Sequence, residues 1–413
     1  MKSDKENSYN KVVALLIILL SVLMHQSMRT PIGNLSSADL VLIVLIIYVF
    51  LNKKFLINKW HLLIIQLFFL HIILTSAFIS PVSFNVQVSS MSFIAEIIKL
   101  ILLFLYFFTG SFIAKGEYID KMLKVYSNTA VIIGLIGIIL SFISFSALNS
   151  FMFKYGTRLN GFMNDPNYFA ILQVSALSYH FKKNMGKTKI PSVIIIILSI
   201  VLSGSKTGIL AFAVYLFIFY IEKFMSNVQN ISAKKMLRNI MLIMLFTYGI
   251  NLIVNNLYEI MFWLTSHFPV TSRLTTLFTD TESAISGGSG RDIAWKTGIK
   301  IIEMAPILGV GVDNYLNIAS KNFGTAVLAH NTYIQLAAEW GLPITLLFFG
   351  SILLLVVKIG INRYTSITLG ILKDILIVFL IGSLGISLNN ARFFWIILGG
   401  TIGVFIKERI YVK

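Results

Sequence analysis

The sequence contains no cysteine in 413 residues. That excludes a disulfide framework, a thiolate metal site and a cysteine nucleophile. Charge is scarce as well: 12% of the residues are Asp, Glu, Lys or Arg, against 57% hydrophobic. A soluble chain of this length could not hide that much apolar surface. With a mean hydropathy of +0.84, the composition describes a polytopic membrane protein. No Gly-x-x-x-x-Gly-Lys-Ser/Thr run occurs, which removes an ATP-driven engine of that type. The six histidines form no cluster suited to zinc. No linker, separate soluble domain or convincing internal repeat interrupts residues 1–413, which read as one transmembrane domain.

Acidic residues are the scarcer sign, 17 against 34 basic ones, for a net charge of +17. The excess is topological and does not point to nucleic acid, because Lys and Arg of membrane proteins gather in cytoplasmic loops. Lys2, Lys5 and Lys11 precede an apolar run from Val12 to Met24. No small-residue cleavage site follows, so this reads as an uncleaved first span.

Apolar runs predict an all-α bundle of about twelve spans. They lie near 11–28, 38–52, 61–80, 92–114, 125–147, 166–181, 190–205, 207–224, 237–255, 331–357, 368–388 and 391–407. Most of the 34 basic residues then fall in the two tails and in alternate connections (53–59, 115–124, 182–189, 223–238, 358–373). The positive-inside rule puts both termini in the cytoplasm and the long connection at 255–330 outside.

That connection is far longer than usual and too rich in Trp, Ile and Leu to be mere disorder. It holds Arg273, Ser286-Gly-Gly-Ser-Gly290, Arg291-Asp-Ile-Ala-Trp295 and Pro306-Ile-Leu-Gly-Val-Gly311, and it closes on His330-Asn-Thr-Tyr333. Asp292, Lys296, Lys300 and Glu303 share one helical face, with Trp295, Ile299 and Ile302 on another. This predicts a short amphipathic helix, started at Ser289 or Gly290, ended by Pro306 and lying along the membrane interface. Gly309-Val-Gly311 reads as a tight turn.

Arg158, Lys206, Arg273, Arg291 and Arg392 all fall on the external face. Converging guanidinium groups at a membrane surface suit a diphosphate, whereas each taken singly could be an interfacial anchor. His330, flanked by Asn331 and Tyr333, stands where the loop enters the next span, and its near-neutral pKa suits a general base. His25, His61, His71, His180 and His267 read as structural. Asp165 before Pro166 reads as a turn or helix cap. Glu96 and Lys99 sit three residues apart inside a span and should pair. Asp280-Thr-Glu282 reads as solvated loop.

Taken together, Gly290-Arg-Asp-Ile-Ala-Trp295, Pro306-x-x-Gly-x-Gly311, His330-Asn-x-Tyr333 and Glu339-x-Gly341 resemble the C-terminal motifs of the O-antigen polymerase and ligase family. Arg158-to-Asn167 and Ser205-Lys-Thr-Gly208 resemble its upstream motifs. The resemblance covers roughly residues 150–345. It implies a GT-C-like bacterial cell-membrane glycosyltransferase that needs no metal or other cofactor. Its donor would be a saccharide on undecaprenyl diphosphate, and its acceptor a second lipid-linked repeat for a polymerase or a lipid or protein for a ligase. Products would be capsule, exopolysaccharide or O-antigen, and partners would include a chain-length regulator and a flippase. The resemblance puts Arg158, Lys206 and Arg291 at the family's basic positions and His330 at its loop-end histidine. With the external cations and the motif residues beside them, the expected catalytic residues are His330 and Arg291, and the expected substrate-binding residues are Arg158, Lys206, Arg273, Arg392, Tyr333 and Glu339. Lys206 stands where the family commonly has Arg, replacing a planar fork by a point charge. A flippase for the same lipid remains open, although it would more often show repeats and midplane charges.

Overall fold

The computed structural model describes residues 2–27, 35–52, 59–116, 118–143, 151–155, 157–183, 186–228, 290–361 and 365–411, with isolated positions 241, 244 and 259. The predicted span at 237–255, Arg273 and His267 lie outside the described residues, apart from those isolated positions. The described chain is mostly helical. In order it forms α1 (Lys2–Leu23), α2 (Ser37–Leu51), α3 (Lys59–Leu74), α4 (Ser90–Lys115) and α5 (Ile119–Phe142). A two-stranded hairpin follows, β1 (Phe153–Lys154) and β2 (Arg158–Leu159), antiparallel with Lys154 opposite Arg158. Then come α6 (Pro166–Lys182), α7 (Lys189–Leu202), α8 (Lys206–Val228), α9 (Arg291–Met304), α10 (Tyr315–Phe323), α11 (Thr332–Trp340), α12 (Leu342–Ile361), α13 (Ile367–Gly382) and α14 (Arg392–Tyr411).

Among the described residues, five helical stretches are long and apolar enough to cross a membrane: Leu62–Phe84, Ser90–Lys115, Ile119–Phe142, Lys206–Phe224 and Leu342–Ile361. Their outward faces are apolar, with Leu346, Leu347 and Val82 exposed at 68%, 71% and 84%. Such a belt is tolerable only against lipid. The predicted span at 331–357 is corrected. It is two helices, α11 and α12, divided at Gly341, where φ is +84°. Hydropathy alone could not see this break, because both halves are apolar.

Inside the bundle, packing relies on small residues, as lipid offers helices little hydrophobic reason to associate. α4 lies directly on α14. A Cβ at Gly110 would come within 2.0 Å of the Ile396 carbonyl oxygen, and one at Gly399 within 1.8 Å of that of Phe107. α1 is followed by a local anchor: His25 donates from Nε2 to the Tyr126 carbonyl at 2.9 Å and stacks on the Tyr126 ring. His71 and His180 likewise reach the carbonyls of Trp340 and Ser127. These three histidines have the structural roles expected. Glu96 and Lys99 form the expected pair.

A smaller apolar cluster lies apart from the main core. Ile301, Val310, Tyr315, Ile318, Ala329 and Ala338 bury one another there. It joins α9, α10 and α11 into a cap on one end of the bundle. α9 matches the predicted amphipathic helix in extent, from Arg291 to Met304 after Gly290. Its orientation differs from the expectation. The buried face is Ala294, Thr297, Gly298 and Ile301, because these small side chains allow contact with α11. A Cβ on Gly298 would lie 2.4 Å from Ile334 Cγ2. Ile293 and Ile299 point outward. α10 was not foreseen.

Candidate active site

The cap places His330 on a short, constrained connection. Its φ is +49°, an uncommon conformation for a residue with a side chain and one that persists only when neighbours enforce it. The neighbours do so from both sides. Ala329 N–H donates to Gln335 Oε1 at 3.1 Å. Asn331 caps α11, its Oδ1 accepting from the backbone of Tyr333 at 2.9 Å and of Ile334 at 3.2 Å. This satisfies N–H groups that a helix start leaves open. Thr332 is locked to the connection between α13 and α14. Its N–H donates to Ser383 O and its hydroxyl to Ile386 O, while Leu388 N–H donates back to that hydroxyl, each at 2.8 Å.

The far end of α11 is held by the glycine motifs. Val310 N–H donates to Ala338 O at 2.8 Å and Gly311 N–H to Glu339 O at 2.9 Å. Leu342 N–H returns to Pro306 O at 2.8 Å. A Cβ on Gly341 would lie 2.1 Å from Ile307 O, so only glycine permits this crossing, and its φ of +84° agrees. Pro306-to-Gly311 and Glu339-x-Gly341 are thus two halves of one clasp. A π turn at Thr75–Ile79, following α3, secures it from below: Ser76 Oγ accepts from Val312 N–H at 2.8 Å, and Ser80 Oγ donates to Val310 O at 2.7 Å.

Two charges act on His330. Burial lowers its proton affinity most, the Arg291 charge lowers it further, and the Asp165 carboxylate pulls the other way. The balance lies below the ordinary histidine value, so the imidazole is neutral near pH 7, the state a base requires. Arg291 begins α9 behind Gly290, whose φ is +59°. Asp165 caps α6: its Oδ1 accepts from the backbone of Asn167 at 2.7 Å and of Tyr168 at 3.1 Å. Asp165 is thus the helix cap that its place before Pro166 predicts, and it has a further part. Its second role, as the acidic neighbour of His330, joins residues 165 positions apart and has no local signal.

Arg158 is buried on β2. It donates from Nε to Ser203 O at 2.9 Å and from Nη2 to Asn167 Oδ1 at 3.1 Å. It therefore ties the turn before α8 to the start of α6. Lys206 opens α8 after Ser205, whose Oγ accepts from Gly208 N–H at 2.9 Å. Arg158, Asp165 and Lys206 thus share one neighbourhood, and Asp165 connects it to His330 and Arg291.

Three other expected substrate-binding residues have internal partners instead. Arg392 makes a two-pronged ion pair with Asp39, Nε to Oδ1 at 2.6 Å and Nη2 to Oδ2 at 2.7 Å. Asp39 is fully buried and also receives Tyr106 OH at 2.9 Å and Ser36 N–H at 2.7 Å. Tyr333 donates to Leu380 O at 2.8 Å and packs on Phe349. Glu339 is buried and accepts from Gln335 Nε2. For Arg392 and Tyr333 a tertiary partner takes the polar group, whereas Glu339 is met by Gln335 one turn away on its own helix.

Residues 191–349 match a family model described as O-antigen ligase. That segment, less than half of the chain, is similar to the O-antigen polymerase/ligase family. Members of this family are membrane enzymes that transfer glycosyl groups. No curated protein matches the chain. The matched segment contains Lys206, Arg291, His330 and the glycine clasp, whereas Arg158, Asp165 and Arg392 lie beyond it.

Proposed function

We propose that this protein is a member of the O-antigen polymerase/ligase family and that it polymerises undecaprenyl-diphosphate-linked oligosaccharide repeats into a cell-surface polysaccharide. The setting is the external face of the bacterial cell membrane, with both termini cytoplasmic. The observation that carries this reading is the strained, fixed His330 lying in the fields of Arg291 and Asp165 inside the family-matched segment. A chain-length regulator and a flippase would act beside it.

The chemistry needs three things. An acceptor hydroxyl attacks the anomeric carbon of the donor sugar, and its proton passes to neutral His330. The bond from that carbon to the diphosphate oxygen breaks, and the electron pair leaves with undecaprenyl diphosphate. Attack opposite the leaving group inverts the anomeric centre. Negative charge grows on the diphosphate, and fixed cations stabilise it as it develops. Arg291 and Lys206 take that role here, with Arg158 orienting the turn beneath Lys206 and Arg273 completing the set. Diphosphate bound at Arg291 would offset the charge that holds down the His330 pKa, making the base stronger when substrate is present. Arg392, Tyr333 and Glu339, each with an internal partner, would shape the substrate site and take no part in the diphosphate clamp.

A ligase reading, with transfer to a lipid or protein acceptor, uses the same groups and is favoured by the description of the matched family. The test is reconstitution in nanodiscs with the lipid-linked repeat, in chelator and without nucleotide. A ladder of products with release of undecaprenyl diphosphate is the expected result. Transfer only after adding a foreign acceptor means ligase. Movement of lipid between leaflets with no new glycosidic bond contradicts the enzyme reading.

A further inference from the structure

A cavity of about 170 Å³ opens at the cap end of the bundle. Its polar lining includes Ser36, Asp39, Lys99, Asn164, Asn390 and Arg392. Tyr106 and Leu103 form an apolar part of the wall. It borders the His330 site on two supports. Asn164 directly precedes Asp165, whose carboxylate acts on His330. Asn390 and Arg392 end the connection whose Ser383, Ile386 and Leu388 lock Thr332.

The charge balance of this cavity decides what it can hold. Both of its cations are already matched, Arg392 by the buried Asp39 and Lys99 by Glu96. Asp39 is saturated by Arg392, Tyr106 and Ser36. An anion drawing Arg392 away would leave the fully buried Asp39 carboxylate unpaired, which is costly, and at Lys99 it would have to compete with Glu96. What the lining offers is a mixture of amide and hydroxyl donors and acceptors beside an aromatic and aliphatic wall. That mixture suits a neutral ring with hydroxyls at its rim and C–H groups on its faces, since a few placed polar groups in a partly apolar cavity fix the orientation of a ligand.

We propose that this cavity is a saccharide subsite, receiving a neutral sugar residue of the lipid-linked substrate while the diphosphate is held elsewhere. The proposal rests on the glycosyl-transfer reading above. Asn164 and Asn390 are exposed, so they can be changed without disturbing the buried Asp39–Arg392 pair.

The test uses full-length protein in nanodiscs and two probes. One is the oligosaccharide repeat freed of lipid and phosphate by mild acid. The other is undecaprenyl diphosphate carrying no sugar. Binding of each is measured for the wild type, an Asn164→Ala/Asn390→Ala double variant and Arg291→Gln, with thermal melts to check folding. The double variant is expected to bind the free saccharide about tenfold more weakly, the loss of one good hydrogen bond, and undecaprenyl diphosphate as tightly as wild type. Arg291→Gln should do the reverse. Loss of diphosphate binding in the double variant, with saccharide binding intact, would make the cavity an anion site and overturn the proposal. So would unchanged binding of both probes, or a wild type that binds no free saccharide. A wild type that fails to bind undecaprenyl diphosphate would instead remove the glycosyl-transfer reading.

Discussion

The two ends of the bundle treat charge in different ways. At the end opposite the cap, ions are cross-matched. Lys182 meets Asp374 at 2.8 Å, Lys373 meets both Glu222 and Asp374, and Lys183 meets Asp120 at 2.6 Å. Tyr215 OH donates to Asp374 at 3.1 Å. These contacts join α5, α6, α8 and α13. At the cap end, His330 sits on a strained backbone between a cation and a carboxylate, on a connection fixed by capping and by the α13–α14 connection. Both ends use ion pairs to hold helices together, Asp39–Arg392 doing so between α2 and α14 at the cap end. Only the cap end adds hydrogen bonds and glycine crossings that hold a titratable group in a strained conformation.

The contrast can be broken first at the paired end. Asp374→Asn leaves Lys182 and Lys373 without their buried partner, and truncating such a pair costs about 3–5 kcal/mol. Chemical denaturation should show that loss, while the turnover of the folded fraction stays at the wild-type value. The cap end should respond in the opposite sense. Arg291→Gln should slow transfer by about 10²–10³, the cost of removing one charge-stabilising donor, with little change in the melting midpoint. The same variant sharpens the assignment of the base. The rate falls in acid as His330 becomes protonated, and removing the Arg291 cation raises the His330 pKa. The acid limb of a pH–rate profile should therefore move to higher pH.

Smaller effects distinguish strain from packing. His330→Gly removes both the imidazole and the cost of a side chain at φ +49°. Activity should vanish while thermal stability rises by an amount on the order of 1 kcal/mol. Asp165→Asn keeps a good capping residue on α6, so stability should change by only a few tenths of a kcal/mol. The lost carboxylate should nevertheless move the acid limb to lower pH, opposite to Arg291→Gln, as pH-dependent single-turnover rates can show.

Much of this was legible in the sequence because it is local. Apolar runs mark helices, Asp165-Pro166 marks a helix start, and Gly290 to Pro306 bounds α9. Glu96 and Lys99 lie within one helical turn of each other and pair as expected. What escaped depends on distant partners. Arg392 reads as an interfacial cation until Asp39, 353 residues away, is found against it. The break at Gly341 escaped because hydropathy is the same on both sides, and the Gly309–Gly341 crossing that causes it is tertiary. The exposed isoleucines of α9 had the opposite problem. Periodicity marked an apolar side, but small residues on another side let α11 approach more closely.

The central claim is that His330 is the base for glycosyl transfer. The most direct test is the single-turnover rate of sugar transfer from the lipid-linked repeat, for wild type and His330→Ala, across pH in nanodiscs. With His330 as the base, the wild-type rate falls in acid. The His330→Ala rate is then lower by about 10²–10⁴ at neutral pH, the usual worth of a general base, and shows no acid limb. A His330→Ala enzyme that transferred at the wild-type rate with the same limb would contradict that assignment.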